Sequence, residues 1–236
     1  MTEIYVGTSG WSYSWNPNGF KWYAKNSGLN AVELNSSFYR FPFPSMIKGW
    51  LKYSDKIRWA IKVHRSITHY RKLTGKAEET WRKFERLFQP LDNQIDFYLF
   101  QMPPNYTATE DNIQNLSKFH EYTELGSRFA FEPRHITWFT NEVQEILREL
   151  GITVVSVDSP FITYIWKTND IVYLRMHGRT SWYSHYYTDE ELLQITNKIM
   201  ELAPNRVYVF FNNDHDMLEN GRRMLKILKK AFSSTD

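Results

Sequence analysis

The chain has 236 residues, a formal net charge of +3 and no cysteine. The lack of thiols excludes disulfides, Cys-ligated zinc and thiolate catalysis, and it is typical of proteins in a reducing cytoplasm. Strand-like residues follow Met1 directly, without the basic and apolar regions of a signal peptide, and no apolar run approaches the roughly 20 residues of a membrane span. We therefore expect a cytoplasmic protein with no membrane partner.

Short apolar runs alternate with helical patterns along the chain. The predicted strands are 3–8, 31–34, 58–63, 96–101, 128–132, 152–157, 171–176 and 206–211. The predicted helices are 20–27, 44–54, 77–89, 110–123, 138–149, 189–202 and 215–231. Continuous β-branched and aromatic runs predict strands buried on both faces, and 3.6-residue periodicity predicts helices. This alternation is typical of parallel strands joined by crossover helices.

The number of strands and the chain length favour a (β/α)8 barrel, which usually takes about 250 residues. The segment 159–166, after the sixth strand, is aromatic and contains a proline, so we expect an irregular loop there in place of a helix. An open sheet is the alternative, but the segment 7–11 lacks the third glycine of a dinucleotide-binding fingerprint. The predicted fold is α/β: a single TIM-type barrel domain with parallel strands over residues 1–236.

Polar side chains follow most of the predicted strands, and in a barrel the carboxyl ends of the strands share one mouth. Acids and bases that suit proton transfer are found there, and we take them as candidate catalytic residues: Glu33, Glu132, Asp158, His64 and His177. Carboxylates and imidazoles are also ligands of Mg²⁺ or Mn²⁺, so a divalent metal stays open as a cofactor. The alternative for any one of these carboxylates is that it caps a helix or pairs with an arginine.

A second set of strand-end residues suits an anion. Arginine offers a planar fork to phosphate or carboxylate, and barrels often bind phosphate after their last two strands. The candidate substrate-binding residues are Lys62, Arg134, Arg175, Arg179 and Asn213, with the loop aromatics Trp11 and Tyr39. A small anionic or phosphorylated ligand is therefore the expected partner, unless the carboxylates simply neutralise these cations.

Basic residues are concentrated between Lys56 and Arg86. This segment holds ten Lys or Arg against three Glu, a net charge of +7, so the rest of the chain carries −4. A clustered basic segment can bind a polyanion. The alternative is that these charges form a solvated helix face, as we expect for Arg82, Lys83 and Arg86. Nucleic acid is thus a second predicted partner.

Eight motif segments, in order along nearly the whole chain, resemble the YecE-like family, also called domain of unknown function 72. They are GTSGWSY (7–13), VELNSSFYR (32–40), KVHRSITH (62–69), FQMPP (100–104), FEPRH (131–135), VDSP (157–160), LRMHGR (174–179) and FFNND (210–214). The resemblance implies a TIM-type barrel and supplies no reaction or catalytic residues. The chain departs from the family pattern at Pro133, where Phe is common, and at Gly221, where Ala is usual.

Taken together, these features predict a hydrolase or lyase that acts on an anionic, phosphorylated substrate at the mouth of the barrel. Two other classes remain open: a nucleic-acid-binding or nuclease-like protein, and a non-catalytic sensor of a small metabolite.

Overall fold

A computed structural model describes residues 1–233 of the chain. The strands are β1 (Glu3–Ser9), β2 (Ala31–Leu34), β3 (Arg58–Lys62), β4 (Ile95–Gln101), β5 (Phe129–Glu132), β6 (Thr153–Asp158), β7 (Thr163–Tyr164), β8 (Ile171–Met176) and β9 (Arg206–Phe211). Each of the eight predicted strands is present, and their bounds differ from the prediction by at most one residue at either end.

All of these strands except β7 form one closed parallel barrel. The order around it is β1, β2, β3, β4, β5, β6, β8 and β9, and β9 pairs again with β1. The helices lie around the outside, so the predicted TIM-type barrel is confirmed. That residues 1–236 form a single domain stays a prediction.

The connection after β6 is irregular, as the sequence predicts. Strand β7 folds back antiparallel to β6, with Val157 opposite Tyr164, and no helix lies between residues 159 and 170. The side chain of Trp166 in this connection is buried, and its backbone N–H donates to Ser156 Oγ at 3.0 Å. The aromatic loop therefore covers this side of the barrel in place of a helix.

The helices are α1 (Gly19–Asn26), α2 (Pro44–Leu51), α3 (Glu78–Phe88), α4 (Glu110–Thr123), α5 (Asn141–Glu149), α6 (Asp189–Glu201) and α7 (Met217–Ser233). Helix α6 begins with the capping box that its sequence predicts, formed by Thr188 and Glu191. Gly151, just after α5, has φ 71°, the left-handed conformation expected of a residue that ends a helix. Among residues 1–233, none of the helices has the length and apolar character needed to cross a membrane.

Alternate residues of each strand face the inside of the barrel. Ala31, Ala60 and Ala130 form a cluster with larger residues such as Phe97 and Tyr173, which is separate from the core between strands and helices. Small and large side chains together fill the interior, so the barrel is packed rather than hollow. Polar residues that continue the inward-facing series at the carboxyl ends consequently form the floor and walls of the mouth.

Candidate functional site

At the centre of the mouth, Arg175 is held between two carboxylates. Its Nη2 lies 2.8 Å from Glu33 Oε1, its Nε 3.0 Å from Glu33 Oε2, and its Nη1 2.7 Å from Glu132 Oε2. The side chains of all three residues are at most 5% exposed. The guanidinium fork thus bridges β2 and β5 from its position on β8.

Both carboxylates have further donors. Ser9 Oγ and Tyr173 Oη donate to Glu33 at 2.9 and 2.7 Å. Glu132 accepts from Gln101 Nε2 at 3.0 Å and from Arg134 Nε at 3.1 Å. Their oxygens are therefore committed to fixed donors, and little acceptor capacity is left for a substrate proton.

The opposite charges in this cluster favour the ionised form of each partner. Burial by itself would raise the pKa of Glu132, but the guanidinium groups of Arg175 and Arg134 outweigh it and hold this pKa well below its usual range. Burial likewise opposes the charge of Arg175, yet Glu33 and Glu132 raise the pKa of its guanidinium above the usual value. Both Glu132 and Arg175 stay ionised, and Arg175 acts as the electrostatic centre of the site.

A polar cavity of about 510 Å³ opens above this cluster. It is lined by Ser9, Tyr13, Asn35, Phe38, Tyr39, Lys62, His69, Gln101, Arg134, Arg175, His177, Tyr183, Asn212 and Asp214. Of the predicted substrate-binding residues, Lys62, Arg134, Arg175 and Tyr39 contribute to this lining, as does the candidate catalytic residue His177. The structure brings these five together in one cavity, although they come from strands or loops far apart in sequence.

Lys62, at the end of β3, carries an amine whose pKa is strongly shifted. The side chain is buried, and its Nζ lies 4.4 Å from the centre of the Phe38 ring. Burial and the neighbouring charge of Arg175 lower the pKa of Lys62 to about 7. Within residues 1–233, Nζ makes no hydrogen bond or ion pair, so a substantial fraction of the amine is neutral and free at physiological pH.

His177, just after β8, is buried and neutral. Burial and the charge of Arg175 lower its pKa well below the usual value. The amide Nδ2 of Asn212 lies 3.2 Å from His177 Nδ1. An amide donor there makes Nδ1 the acceptor and leaves the proton on Nε2. His177 Nε2 is buried and has no hydrogen-bond partner among the described residues.

His69, Tyr183 and Phe38 line the same cavity but were not among the predicted site residues. Burial and the charge of Lys62 lower the pKa of His69 to about 4, so this imidazole is neutral as well. His69 lies in an irregular helical turn, 66–70, that follows β3. Two sequence signals point to it: its place in the KVHRSITH motif, and its position close to Arg71 and Lys72 in the basic segment.

Three predicted residues lie together outside the cavity lining. Asp158 is fully buried and accepts from Arg179 Nε at 3.1 Å and from Tyr187 Oη at 2.7 Å. Asn213 is buried too, and its amide donates to the His185 carbonyl at 2.6 Å. Asp158, Arg179 and Asn213 therefore anchor the loop 178–188 and lie beside the site.

Two further predictions also fall outside the cavity lining. His64 is hydrogen-bonded to Ser66 at 2.7 Å and packs edge-on against a phenylalanine ring. Trp11 packs against Trp50 and Trp59 in the core between β-strands and helices, with ring centroids 5.3 and 5.6 Å apart. These contacts give both residues a packing role.

The described part of the chain provides no ligand set for a divalent metal. Within residues 1–233, no group of three or more His, Asp or Glu side chains is arranged to hold a metal ion. The carboxylates that the sequence offers for this purpose, Glu33, Glu132 and Asp158, are each paired with an arginine.

A second cavity of about 370 Å³ adjoins the first and shares Arg134 and His177 with it. Most of its other lining residues are apolar: Pro104, Pro133, Ile136, Phe139, Val155, Val157, Phe161, Ile162 and Trp182, along with Glu132 and Ser159. We refer to the first as the polar cavity and to the second as the apolar cavity.

The basic segment 56–86 is divided between different faces of the molecule. Arg58 pairs with Asp96 where β3 begins, whereas Lys62 lies in the mouth where the same strand ends. Lys83 lies on α3 and forms an ion pair with Glu79 at 2.6 Å. The segment therefore does not present its charges on a single face.

Comparison with known proteins identifies the family. The family model described as "Protein of unknown function DUF72" matches residues 5–235. The chain belongs to this family. The resemblance inferred from the eight sequence motifs is thereby confirmed. No curated protein matches the chain significantly.

Solved structures agree with this assignment. A DUF72 family protein of Thermotoga maritima is 28% identical, with a TM-score of 0.82 over 98% of this chain and 100% of that one. A DUF72 family protein of Enterococcus faecalis is 22% identical, with a TM-score of 0.83 over 96% and 95% of the two chains. A xylose isomerase domain containing protein of Salmonella typhimurium is 12% identical over 91% and 90%, and its TM-score of 0.54 indicates a shared barrel fold alone.

Proposed function

We propose that this DUF72 protein is an enzyme that acts on a small anionic substrate in the polar cavity, and that it is a lyase rather than a hydrolase. The observation that carries the proposal is the free amine of Lys62 beside the guanidinium of Arg134 in one cavity. An arginine and an amine with a pKa near neutrality supply, respectively, an anion-binding group and a base.

Arg134 suits the anionic group of the substrate. Its Nε is engaged by Glu132, its side chain is 30% exposed, and no hydrogen bond of its two Nη atoms is found among residues 1–233. A planar pair of N–H donors can bind phosphate or carboxylate at two points. The anion would also raise the pKa of Lys62, so that binding favours the protonated amine.

The fixed hydrogen bonds of the two carboxylates favour a lyase over a hydrolase. Hydrolysis by a carboxylate pair needs one carboxylate that is free to activate water. Glu33 and Glu132 instead bind Arg175 and further donors. We therefore assign the role of base to Lys62, and Glu33 and Glu132 would position Arg175.

The reaction class that fits is elimination next to a carbonyl or carboxylate group. The fraction of Lys62 that stays neutral in the complex removes a proton from the carbon adjacent to that group. The C–H electron pair then forms a carbon–carbon double bond as a leaving group departs with its own pair from the next carbon. Negative charge that develops on the carbonyl oxygen is stabilised by the neutral Nε2–H of His177. Lys62 then returns its proton to the leaving group or to solvent.

Anion binding is tested with inorganic phosphate by titration calorimetry at pH 7. We expect saturable binding with proton uptake, seen as a dependence of the heat on the buffer's ionisation enthalpy. Lys62→Met should abolish the proton uptake, and Arg134→Gln should weaken binding at least tenfold. Lys76→Met, which removes an exposed lysine elsewhere, is the matched control. Binding that is equally strong in all four proteins would overturn the assignment.

The role of Lys62 as base is tested by hydrogen exchange in D₂O. Proton NMR of a panel of 2-oxo acids and their phosphorylated analogues should reveal enzyme-dependent exchange at the carbon next to the carbonyl. Exchange should be at least 100-fold slower with Lys62→Met. Exchange that survives this substitution would exclude Lys62 as the base. Ligand binding without exchange in any compound would favour the alternative of a metabolite sensor.

A nucleic-acid-binding function is the competing proposal. It draws on the net charge of +7 of the segment 56–86, although these charges are divided between different faces of the molecule. A single-stranded oligonucleotide should then bind with an affinity that falls steeply with salt, because phosphate contacts release counterions. No binding at 50 mM salt would eliminate this alternative.

A cytoplasmic location stays a prediction.

A further inference from the structure

The apolar cavity and the polar cavity share two lining residues. Arg134 and His177 line both, so a molecule that occupies the polar cavity next to these residues is in reach of the apolar one. Glu132, which fixes Arg134, also contributes to the apolar cavity. The two spaces thus form adjoining halves of one larger site.

The lining of the apolar cavity is unusual for a protein surface. The side chains of Phe161 and Ile136 are 84% and 72% exposed, and Ile162 and Trp182 are 42% and 39% exposed. Scattered apolar residues on a surface are common, but four that converge on one concave space beside polar groups are typical of a ligand site. Phe161 and Trp182 approach each other with ring centroids 6.1 Å apart.

His177 lies at the boundary between the two cavities. Its Nε2 is buried and has no hydrogen-bond partner within residues 1–233, and the rings of Trp182 and Tyr183 pack against the imidazole with centroids 5.4 and 5.8 Å away. A buried donor without a partner costs free energy that a ligand acceptor can restore. A ligand that spans the boundary would place a polar atom near His177 and an apolar group beside Trp182.

We propose that the substrate is amphipathic: its anionic group binds in the polar cavity at Arg134 and Lys62, and an aryl or short alkyl group fills the apolar cavity. This inference rests on the proposed function, because it assumes that the anion-binding cavity receives the substrate. The volume of about 370 Å³ accommodates a group of roughly the size of a phenyl ring or a hexyl chain.

The occupant is a small molecule rather than a polypeptide because the apolar space has a volume of only about 370 Å³ and shares lining residues with the polar cavity. A docked helix or a second copy of the chain would need a far larger interface, on the order of 1,000 Å² or more in total. Burial of a phenyl ring in such a space should increase affinity tenfold or more.

The experiment compares methyl phosphate, phenyl phosphate and hexyl phosphate by titration calorimetry. We expect phenyl phosphate, hexyl phosphate or both to bind at least tenfold more tightly than methyl phosphate. Which of them binds better identifies the apolar group as aryl or alkyl. The double variant Ile136→Ser/Phe161→Ser should lose this advantage and bind methyl phosphate as the wild type does. Both positions are largely exposed, so the variant is expected to fold.

Leu193→Ser is the matched control, because it removes an exposed leucine on α6, outside the lining of both cavities. If all three phosphates bind equally and the double variant changes nothing, the amphipathic substrate is excluded while the proposed function stands. If none of them binds, the proposed function fails first. Self-association of the wild type that the double variant abolishes would overturn the inference in favour of a second copy of the chain.

Discussion

Substitution of Arg175 by methionine provides a sharp test of the site. Arg175 is 1% exposed and makes hydrogen bonds of 2.7 to 3.2 Å to Glu33 and Glu132. Arg175→Met removes the shared cation and leaves both carboxylates buried. Removal of one partner from a buried ion pair typically costs about 3–5 kcal/mol. Glu33 retains its two hydroxyl donors and Glu132 retains Gln101 and Arg134, so we expect a loss within that range.

Thermal and denaturant unfolding, followed by circular dichroism, measure this loss. For a chain of this size, 1 kcal/mol corresponds to about 2–4 °C in Tm, so Tm should fall by roughly 6–20 °C. Arg148→Met is the control, because Arg148 forms an exposed pair with Glu145 on α5. Exposed pairs of this kind contribute little to stability, so we expect the control to unfold at nearly the same temperature as the wild type.

The loss should also depend on pH. In the wild type the pKa of Glu132 lies below its unfolded value. Its contribution to stability is therefore fully present above the unfolded pKa and is lost as the pH falls below that value toward the folded pKa. Without Arg175 the pKa of Glu132 rises, and protonation relieves the buried charge as the pH falls. The deficit of Arg175→Met relative to the wild type should therefore be smaller at pH 5 than at pH 8, and Glu132→Gln should restore part of it.

The reasoning is refuted if Arg175→Met costs less than about 1 kcal/mol, or if its deficit is the same at pH 5 and pH 8. Either result would mean that Glu132 does not depend on Arg175 for its charge.

Three further predictions concern stability. The pKa of Lys62 in the folded protein, about 7, is below its unfolded value. The free energy of unfolding should therefore rise with pH between about 7 and 10, by up to about 1.4 kcal/mol per pH unit. Denaturant unfolding curves of Lys62→Met should lack this contribution. Tyr187→Phe removes a 2.7 Å hydrogen bond to buried Asp158. We expect thermal unfolding to show a loss of about 1.5–3 kcal/mol in stability, and proteolysis of the loop 178–188 to become faster. An unchanged cleavage rate would contradict the anchoring role of Asp158. Gly7→Ala should prevent stable folding, because a Cβ at this position of β1 would lie 2.2 Å from a backbone carbonyl oxygen of β2. A Cβ at Gly49 in α2 would meet no atom within 4 Å, so Gly49→Ala should raise stability by roughly 0.5–1 kcal/mol in the same unfolding assay.

Local patterns in the sequence were sufficient for the elements and for the barrel. Strands buried on both faces need continuous apolar runs, and helices need an apolar stripe, so both leave a periodic record in the chain. Helix ends were predictable for the same reason: the capping box at Thr188 and the left-handed Gly151 are formed by residues a few positions apart. Eight alternating units then allow few arrangements, because parallel crossovers are short and right-handed.

A shift of one residue along a strand decides whether a polar side chain at the end of that strand faces the mouth. Arg175 is in register with Val157 and Met176 with Asp158, and adjacent residues of a strand point to opposite faces. The side chain of Arg175 therefore faces the interior, and that of Asp158 faces the outer layer, where it pairs with Arg179. By the same alternation Asn212 lines the polar cavity and Asn213 does not. This periodicity was present in the sequence and could have separated the two groups.

Closure of the barrel alone determines what each charged group can do. Glu33 and Arg175 are 142 residues apart in sequence and Glu132 and Arg175 are 43 apart, and no local pattern records that they meet. Their contact changes the chemistry: the two carboxylates become partners of Arg175, while Lys62, buried beside that cation, is left with a pKa of about 7. The sequence by itself determined the barrel and the set of polar residues at its mouth. The tertiary structure decided which of them are paired and which are free to react, because burial and the distance between charges exist only in the folded chain.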